Sequence, residues 1–171
     1  YGLRLMADTV DEMIICSSCS KNFGLYRERI GACSIVGKSA SSADIINSVL
    51  LPVARVNYSM PPAHGAAIVE TILNSDELTQ QWHGELAEMR DRIGGMRRLL
   101  VDKLVEKGIT RDFSFITRQN GMFSFLGIDT DQVQRLQDDF SIYIVGSSRI
   151  SVAAVSHDNV DYLAESIAKV L

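Results

Sequence analysis

The sequence predicts a mixed α/β chain in two parts, an α/β portion over residues 1–88 and a small α+β unit over 89–171. Three observations predict it. Met13-Ile14-Ile15-Cys16 and Ala32-Cys33-Ser34-Ile35-Val36 have the length and composition of short strands on either side of a polar, glycine-containing turn. Leu78, Trp82, Leu86, Met89, Ile93, Met96, Leu100 and Leu104 recur at spacings of three and four, which draws one apolar face along a long helix ending at Gly108. Beyond Gly108 the apolar period drops to two, the repeat of a half-buried strand. The first part holds too few strands to be a whole domain.

Taken in order, residues 3–10 read as the end of a helix with no capping residue ahead of it, so the sequence is expected to begin inside a helix with further chain upstream. The two short strands follow. Residues 43–51 read as a helix that Pro52 should end or kink, because proline lacks the N–H and crowds the preceding turn. Pro61-Pro62 opens a mostly apolar helix over 63–73. In the long helix, Gly94-Gly95 should each cost about 1 kcal/mol relative to alanine, which makes the pair a soft point. Phe113 to Thr117 and Met122 to Phe125, joined by Asn120-Gly121, carry the pattern of a hairpin, since Asn-Gly suits left-handed turn dihedrals. Thr130 is placed to cap a helix bearing Val133, Leu136 and Phe140, and residues 142–145 and 149–152 read as strands. Ser156 is placed to cap the last helix, with Asp158 and Asp161 near its positive end.

Composition narrows the function. With 46% hydrophobic and 22% charged residues the chain is that of a soluble globular protein. A net charge of −4, with Lys and Arg scattered, leaves no electrostatic footprint for nucleic acid. No stretch approaches the roughly 18 consecutive apolar residues of a membrane span. Cys16, Cys19 and Cys33 form an odd set, which fits a reducing compartment, so the cytoplasm is the expected location.

The densest chemistry lies in Ser18-Cys19-Ser20-Lys21-Asn22-Phe23-Gly24-Leu25-Tyr26-Arg27-Glu28-Arg29-Ile30-Gly31. Two serines, a lysine and two arginines meet on one turn. Guanidinium forks and hydroxyls suit a phosphate, and the lysine would set an amine beside it. Spacing alone still favours a solvated loop, because most lysines are exposed surface groups.

This stretch closely resembles the cofactor-lysine motif of the aspartate and aromatic-amino-acid aminotransferases, Ser-x-Ser-Lys-x-Phe-(Gly/Ser)-Leu-Tyr-x-Glu-Arg-Val-Gly, departing at Ile30. The resemblance runs on in register through Arg55-x-Asn57-Tyr58-Ser59-x-Pro61-Pro62, Asn120-Gly121-Met122-Phe123-Ser124 and Ser148-Arg149 to Leu171. It implies the final part of the large domain of a fold-type-I pyridoxal-phosphate-dependent transferase over 1–88, followed by its small domain over 89–171. It implies pyridoxal 5′-phosphate as cofactor, amino-acid and 2-oxo-acid substrates, and a homodimer.

By the same resemblance Lys21 carries the cofactor and, once released by substrate, shuttles the proton between the substrate α-carbon and the cofactor. Ser18, Ser20 and Arg29 map onto the phosphate environment; for Ser20 a turn-stabilising hydroxyl is the plainer reading. Arg149 maps onto the grip on the substrate α-carboxylate, Arg55 onto a cross-interface contact with a distal carboxylate, and Phe123 onto the pocket wall. Without the resemblance Arg149 reads as a strand-end surface residue and Arg55 as a helix-terminal one. Ser59 maps onto a cross-interface serine, and Met60 departs from the Asn often found in aspartate-selective members, so an aromatic substrate preference stays open.

The parts the family takes from upstream, an acidic partner for the pyridinium nitrogen, a stacking aromatic ring and backbone phosphate donors, are not found in these residues. The chain is therefore expected to be a fragment inactive by itself. A non-catalytic remnant or dimerisation module is the competing reading from a different class. Cys16-Ser17-Ser18-Cys19 has C-x-x-C spacing but no second pair, and His64, His83 and His157 share no ligand spacing, so no metal site is expected.

Overall fold

A computed structural model describes all 171 residues, which form two compact units, Tyr1–His83 and Gly84–Leu171. This division and the one expected after residue 88 both fall within one long helix. Helices and strands are mixed through the chain, in keeping with the α/β character expected.

In the first unit a short helix α1 (Gly2–Ala7) leads to an antiparallel hairpin of β1 (Met13–Ser18) and β2 (Gly31–Val36). Its register runs from Met13↔Val36 to Ser18↔Gly31. Gly31 has no substitute there, because a Cβ would run into the Ser17 carbonyl oxygen. Helix α2 (Ala40–Tyr58) starts at Ser39, whose hydroxyl accepts the Ser42 N–H at 3.2 Å. Of the two outcomes expected at Pro52, ending is excluded: the helix runs on through it to Tyr58. Proline removes one N–H donor from a helix of 19 residues, and the turns on either side keep theirs.

Helix α3 (His64–Leu73) follows the Pro61-Pro62 pair. Gly65 in its first turn lets the helix approach the loop before β2, since a Cβ there would come within 2.8 Å of the Glu28 Cβ and 3.3 Å of the Ile30 Cβ. Only Ser20 and Gly65 are buried in this unit. Its apolar side chains remain largely on the surface.

Helix α4 (Asp76–Glu106) is unbroken through Gly94-Gly95. In the second unit its buried face, Met96, Leu100 and Leu104, packs with Phe113, Ile116, Leu126, Leu136, Ile150, Val152, Val160 and Ile167 into one apolar core. Helix α5 (Thr130–Phe140) and helix α6 (Val160–Val170) lie against each other, and the Arg135 guanidinium donates to the last carbonyls of α6, those of Lys169 at 2.8 Å and Val170 at 3.2 Å.

Several expected elements differ. No hairpin spans 113–125. Residues Ser114–Arg118 form a 3₁₀ turn, opened by the Asp112 carboxylate accepting the Ser114 N–H at 2.7 Å. Phe113 and Ile116 are the buried members, a spacing of three that a tight helical turn satisfies and a strand does not. The strand β3 (Phe123–Phe125) pairs instead with β4 (Arg149–Ser151), antiparallel, Phe125 opposite Arg149 and Phe123 opposite Ser151. Val152, expected to continue that strand, begins a single 3₁₀ turn. Residues 142–145 pair with no strand, so they are not a strand.

Both expected caps move by a few residues. Asp129, not Thr130, caps α5 in a full capping box with Gln132. Asn159, not Ser156, precedes α6; its side chain reaches back to the Ser156 N–H and the Ala154 carbonyl, bracing the turn that feeds the helix. No helix is long and apolar enough to cross a membrane.

Candidate active site

The loop between β1 and β2 is tied at its base and folded on itself. The Cys19 N–H donates to the Ile30 carbonyl at 3.0 Å, and the Cys19 carbonyl accepts from the N–H groups of Phe23 and Leu25 at 3.4 and 3.3 Å. Gly24 (φ 68°) and Arg29 (φ 51°) take left-handed backbone conformations that let so short a loop turn. Residue 24 is the glycine such a turn favours. Arg29 adopts it with a side chain, a cost the surrounding bonds must hold.

Within this frame Ser18 and Ser20 are brought together, while Arg29 bonds the backbone at Tyr26. The Ser18 hydroxyl donates to the Ser20 hydroxyl at 2.9 Å and accepts the Ser20 N–H at 3.1 Å. Ser20 is buried, whereas Ser18, Lys21 and Arg29 are exposed. The Arg29 guanidinium donates to the Tyr26 carbonyl at 3.0 Å, and the Lys21 ammonium stands 5.2 Å from the Tyr26 ring centroid. No ion pair engages Lys21, so its amine is not committed to a carboxylate of this chain. Chemically the set offers hydroxyl and guanidinium donors for a phosphomonoester and a primary amine for a carbonyl carbon.

Trp82, read from the sequence only as part of an apolar helix face, holds this loop. Its indole N–H donates to the Asn22 carbonyl at 2.7 Å and its ring stacks on Phe23, centroids 4.3 Å apart and planes 11° from parallel. Trp82 thus holds the two residues that follow Lys21, Asn22 and Phe23. Arg55 is exposed in the last turn of α2, and its carbonyl accepts the Ser59 N–H at 2.9 Å. Ser59 (φ 59°) turns the chain out of the helix there.

In the second unit Arg149 and Phe123 come together on the exposed face of β3 and β4, the guanidinium carbon 4.7 Å from the ring centroid. The buried face of the same strands carries Ser124 and Ile150. There Arg97, 5% exposed, donates to the Ser124 hydroxyl at 3.0 Å and to the carbonyls of Gly121 and Phe123 at 2.8 Å each. Its burial pushes the guanidinium below its usual range. Sequence reasoning missed Arg97, although its place at i+4 from Ile93 and i−3 from Leu100 sets a cation on the apolar face of α4. Ser148, also buried (φ 62°), accepts the Gly127 N–H on its hydroxyl at 3.1 Å and the Leu126 N–H on its carbonyl at 3.0 Å, fixing the approach to Arg149. No group of three or more His, Cys, Asp or Glu side chains is placed to hold a metal ion.

The family model for aminotransferase class I and II matches residues 1–167. The chain is 52% identical over 170 residues to an aspartate aminotransferase of Salmonella typhi, an alignment that takes in 99% of this chain and 43% of that protein. Among solved structures it resembles the aromatic-amino-acid aminotransferase of Burkholderia pseudomallei covalently bound to pyridoxal phosphate, with a TM-score of 0.92 and 50% identity over 99% of this chain and 42% of that one. It resembles a mitochondrial aspartate aminotransferase of Trypanosoma brucei with a TM-score of 0.92 and 38% identity over 98% of this chain and 44% of that one. The chain thus spans less than half the length of the relatives it matches.

Proposed function

This chain belongs to the class I and II aminotransferases, and on that premise we propose that it is the carboxyl-terminal portion of an enzyme moving an amino group between aspartate and 2-oxoglutarate by way of pyridoxal 5′-phosphate. In this reading residues 1–88 belong to the cofactor-binding large domain, residues 89–171 form the small domain, and the enzyme is a cytoplasmic homodimer. The observation that carries the proposal is the β1–β2 loop, one short turn that bears Lys21, whose amine is in no ion pair, together with the hydrogen-bonded Ser18–Ser20 pair and Arg29, with Lys21 and Arg29 both set against Tyr26. Those donors fit a phosphorylated aldehyde, the amine for its carbonyl carbon and the rest for its dianion.

When bound, the cofactor supplies the electron sink for charge developing at the substrate α-carbon. The chain's own residues do the remainder. Lys21 anchors the cofactor and then holds and returns the α-carbon proton as general base and acid. The Ser18 hydroxyl, its hydrogen turned from Ser20 to the dianion, and the Arg29 fork bind the phosphate, while the Ser20 N–H, donating to the Ser18 oxygen, holds that oxygen in place. Arg149 offers a planar fork to the substrate α-carboxylate, and Phe123 under it restricts where that fork points. Arg55 takes the distal carboxylate of a dicarboxylic substrate across the homodimer interface.

A second reading, aromatic-amino-acid transamination, is favoured by the half-identity to the Burkholderia enzyme and by Met60. Turnover of aspartate and of phenylalanine with 2-oxoglutarate by the parent enzyme separates the two. A kcat/KM for aspartate well above that for phenylalanine supports the first reading, the reverse order supports the second, and no turnover of either removes both.

A further inference from the structure

Cys16 and Cys33 are directly opposed partners across β1 and β2, both exposed and both free thiols. Antiparallel strands alternate between pairs that exchange two backbone hydrogen bonds and pairs that exchange none, and side chains of the second kind stand closer. The Cys19 N–H donating to the Ile30 carbonyl sets the phase of this ladder. Stepping back by twos, Ser17↔Ala32 is a bonded pair and Cys16↔Cys33 is a non-bonded one. Such pairs have Cα atoms about 4.5 Å apart, within the roughly 4.4–6.8 Å that a disulfide spans. Desolvation, and then the neighbouring Cys16 thiol, push the Cys33 thiol above its usual range. Cys19 is three residues beyond Cys16, an odd step that turns its side chain to the other face of the strand. The C-x-x-C spacing read from the sequence is therefore not the pair the fold creates.

We propose that Cys16 and Cys33 form a dithiol modification site that a small-molecule disulfide converts into a cross-strand bridge. The thiolate of one cysteine attacks a sulfur of the reagent, expelling one reagent thiolate and leaving a mixed disulfide. The second cysteine then attacks the protein sulfur of that mixed disulfide, forming the Cys16–Cys33 bond and expelling the other reagent thiolate. The two protons lost from the protein thiols pass to the departing thiolates, so the protein is oxidised by two electrons and the reagent reduced to two thiols. The bridge closes the base of the loop bearing Ser18, Ser20, Lys21 and Arg29, restricting that loop from behind. This inference does not depend on the amino-transfer reading.

The test is to incubate the dilute 171-residue chain with glutathione disulfide, quench in acid, alkylate under denaturing conditions and measure intact mass and tryptic peptides. The expected product is a monomer two hydrogens lighter than the reduced chain, one thiol of the three alkylated, restored by dithiothreitol. Residues 5–21 should be joined to residues 30–38, with fragmentation assigning the bond to Cys16, and the Cys19→Ser chain should behave alike. In denaturant the preference for this pairing should disappear. Three alkylatable thiols, stable glutathione adducts alone, a bridge through Cys19, or linked dimers would each overturn the proposal.

Discussion

The guanidinium of Arg149 lies over the ring of Phe123, 4.7 Å from its centroid, although its direct partner across the strands is Phe125. Diagonal neighbours of this kind are within reach of long and aromatic side chains. The contact makes the aim of Arg149 depend on β3, and β3 in turn depends on what holds it from below.

Arg97 is that support. Replacing it with Met removes the donor to the Gly121 and Phe123 carbonyls and the Ser124 hydroxyl in a buried site, and should destabilise the chain by at least about 1–3 kcal/mol in urea unfolding. Arg97→Lys, which lacks the planar fork, should recover only part of that. An unchanged unfolding midpoint in Arg97→Met would show that β3 is held by its pairing with β4 alone.

Two carboxyls give the second unit an acid limit. Asp112 is held below the usual carboxylate range, first by the backbone N–H of Ser114, and Glu165 likewise, first by its hydrogen bond from Lys169 and then by the charges of Lys169 and Lys107. A carboxyl whose folded pKa is lowered adds stability above its unfolded pKa and gives it up as pH falls through the folded one. The double variant Asp112→Asn, Glu165→Gln should therefore be slightly less stable than the parent sequence near about pH 7 and converge with it as pH falls through the lowered folded pKa values of the two carboxyls. A gap that persists at low pH would assign the loss to packing.

Helix α2 has no buried residue, and Val56 and, just past its end, Met60 are 87% and 86% exposed. With Ile45, Val49 and Leu51 also on the surface, the isolated chain should self-associate. Leu51→Glu with Val56→Lys should reduce that association in sedimentation. Neither form should transaminate, because no acidic partner for the cofactor nitrogen is identifiable in these residues. A monodisperse monomer of the unaltered chain, or steady aspartate–2-oxoglutarate turnover by it, would contradict this.

Arg55→Asp in the parent enzyme should lower kcat/KM for aspartate far more than for phenylalanine, because only aspartate presents a distal carboxylate to lose and then to be repelled. Equal losses for both substrates would make Arg55 a structural residue.

What the sequence made legible was what lies close together in it. The loop from Ser18 to Gly31 reads as a turn because two short strands bracket it, whereas the roles of its side chains came from the resemblance and not from their spacing. The long helix α4 reads from its apolar spacing. The region after Gly108 misled, because Phe113 and Phe115 alternate like a strand while the Asp112 side chain starts a helical turn at Ser114. There Gln119 supplies through its side-chain amide the bonds that a strand partner would have offered Phe125, accepting its N–H at 3.1 Å and donating to its carbonyl at 3.4 Å. Arg97 was overlooked for the opposite reason: its acceptors lie more than twenty positions away, and nothing local in the sequence announces them.

The central claim is that Lys21 carries the cofactor, and the most direct measurement is borohydride reduction of the cofactor-loaded parent enzyme followed by peptide mapping. The account predicts one reduced, cofactor-bearing peptide with the label on Lys21, and no label in Lys21→Ala, which should still bind cofactor without a covalent bond. Label on Lys38 or Lys103 in place of Lys21 would contradict it.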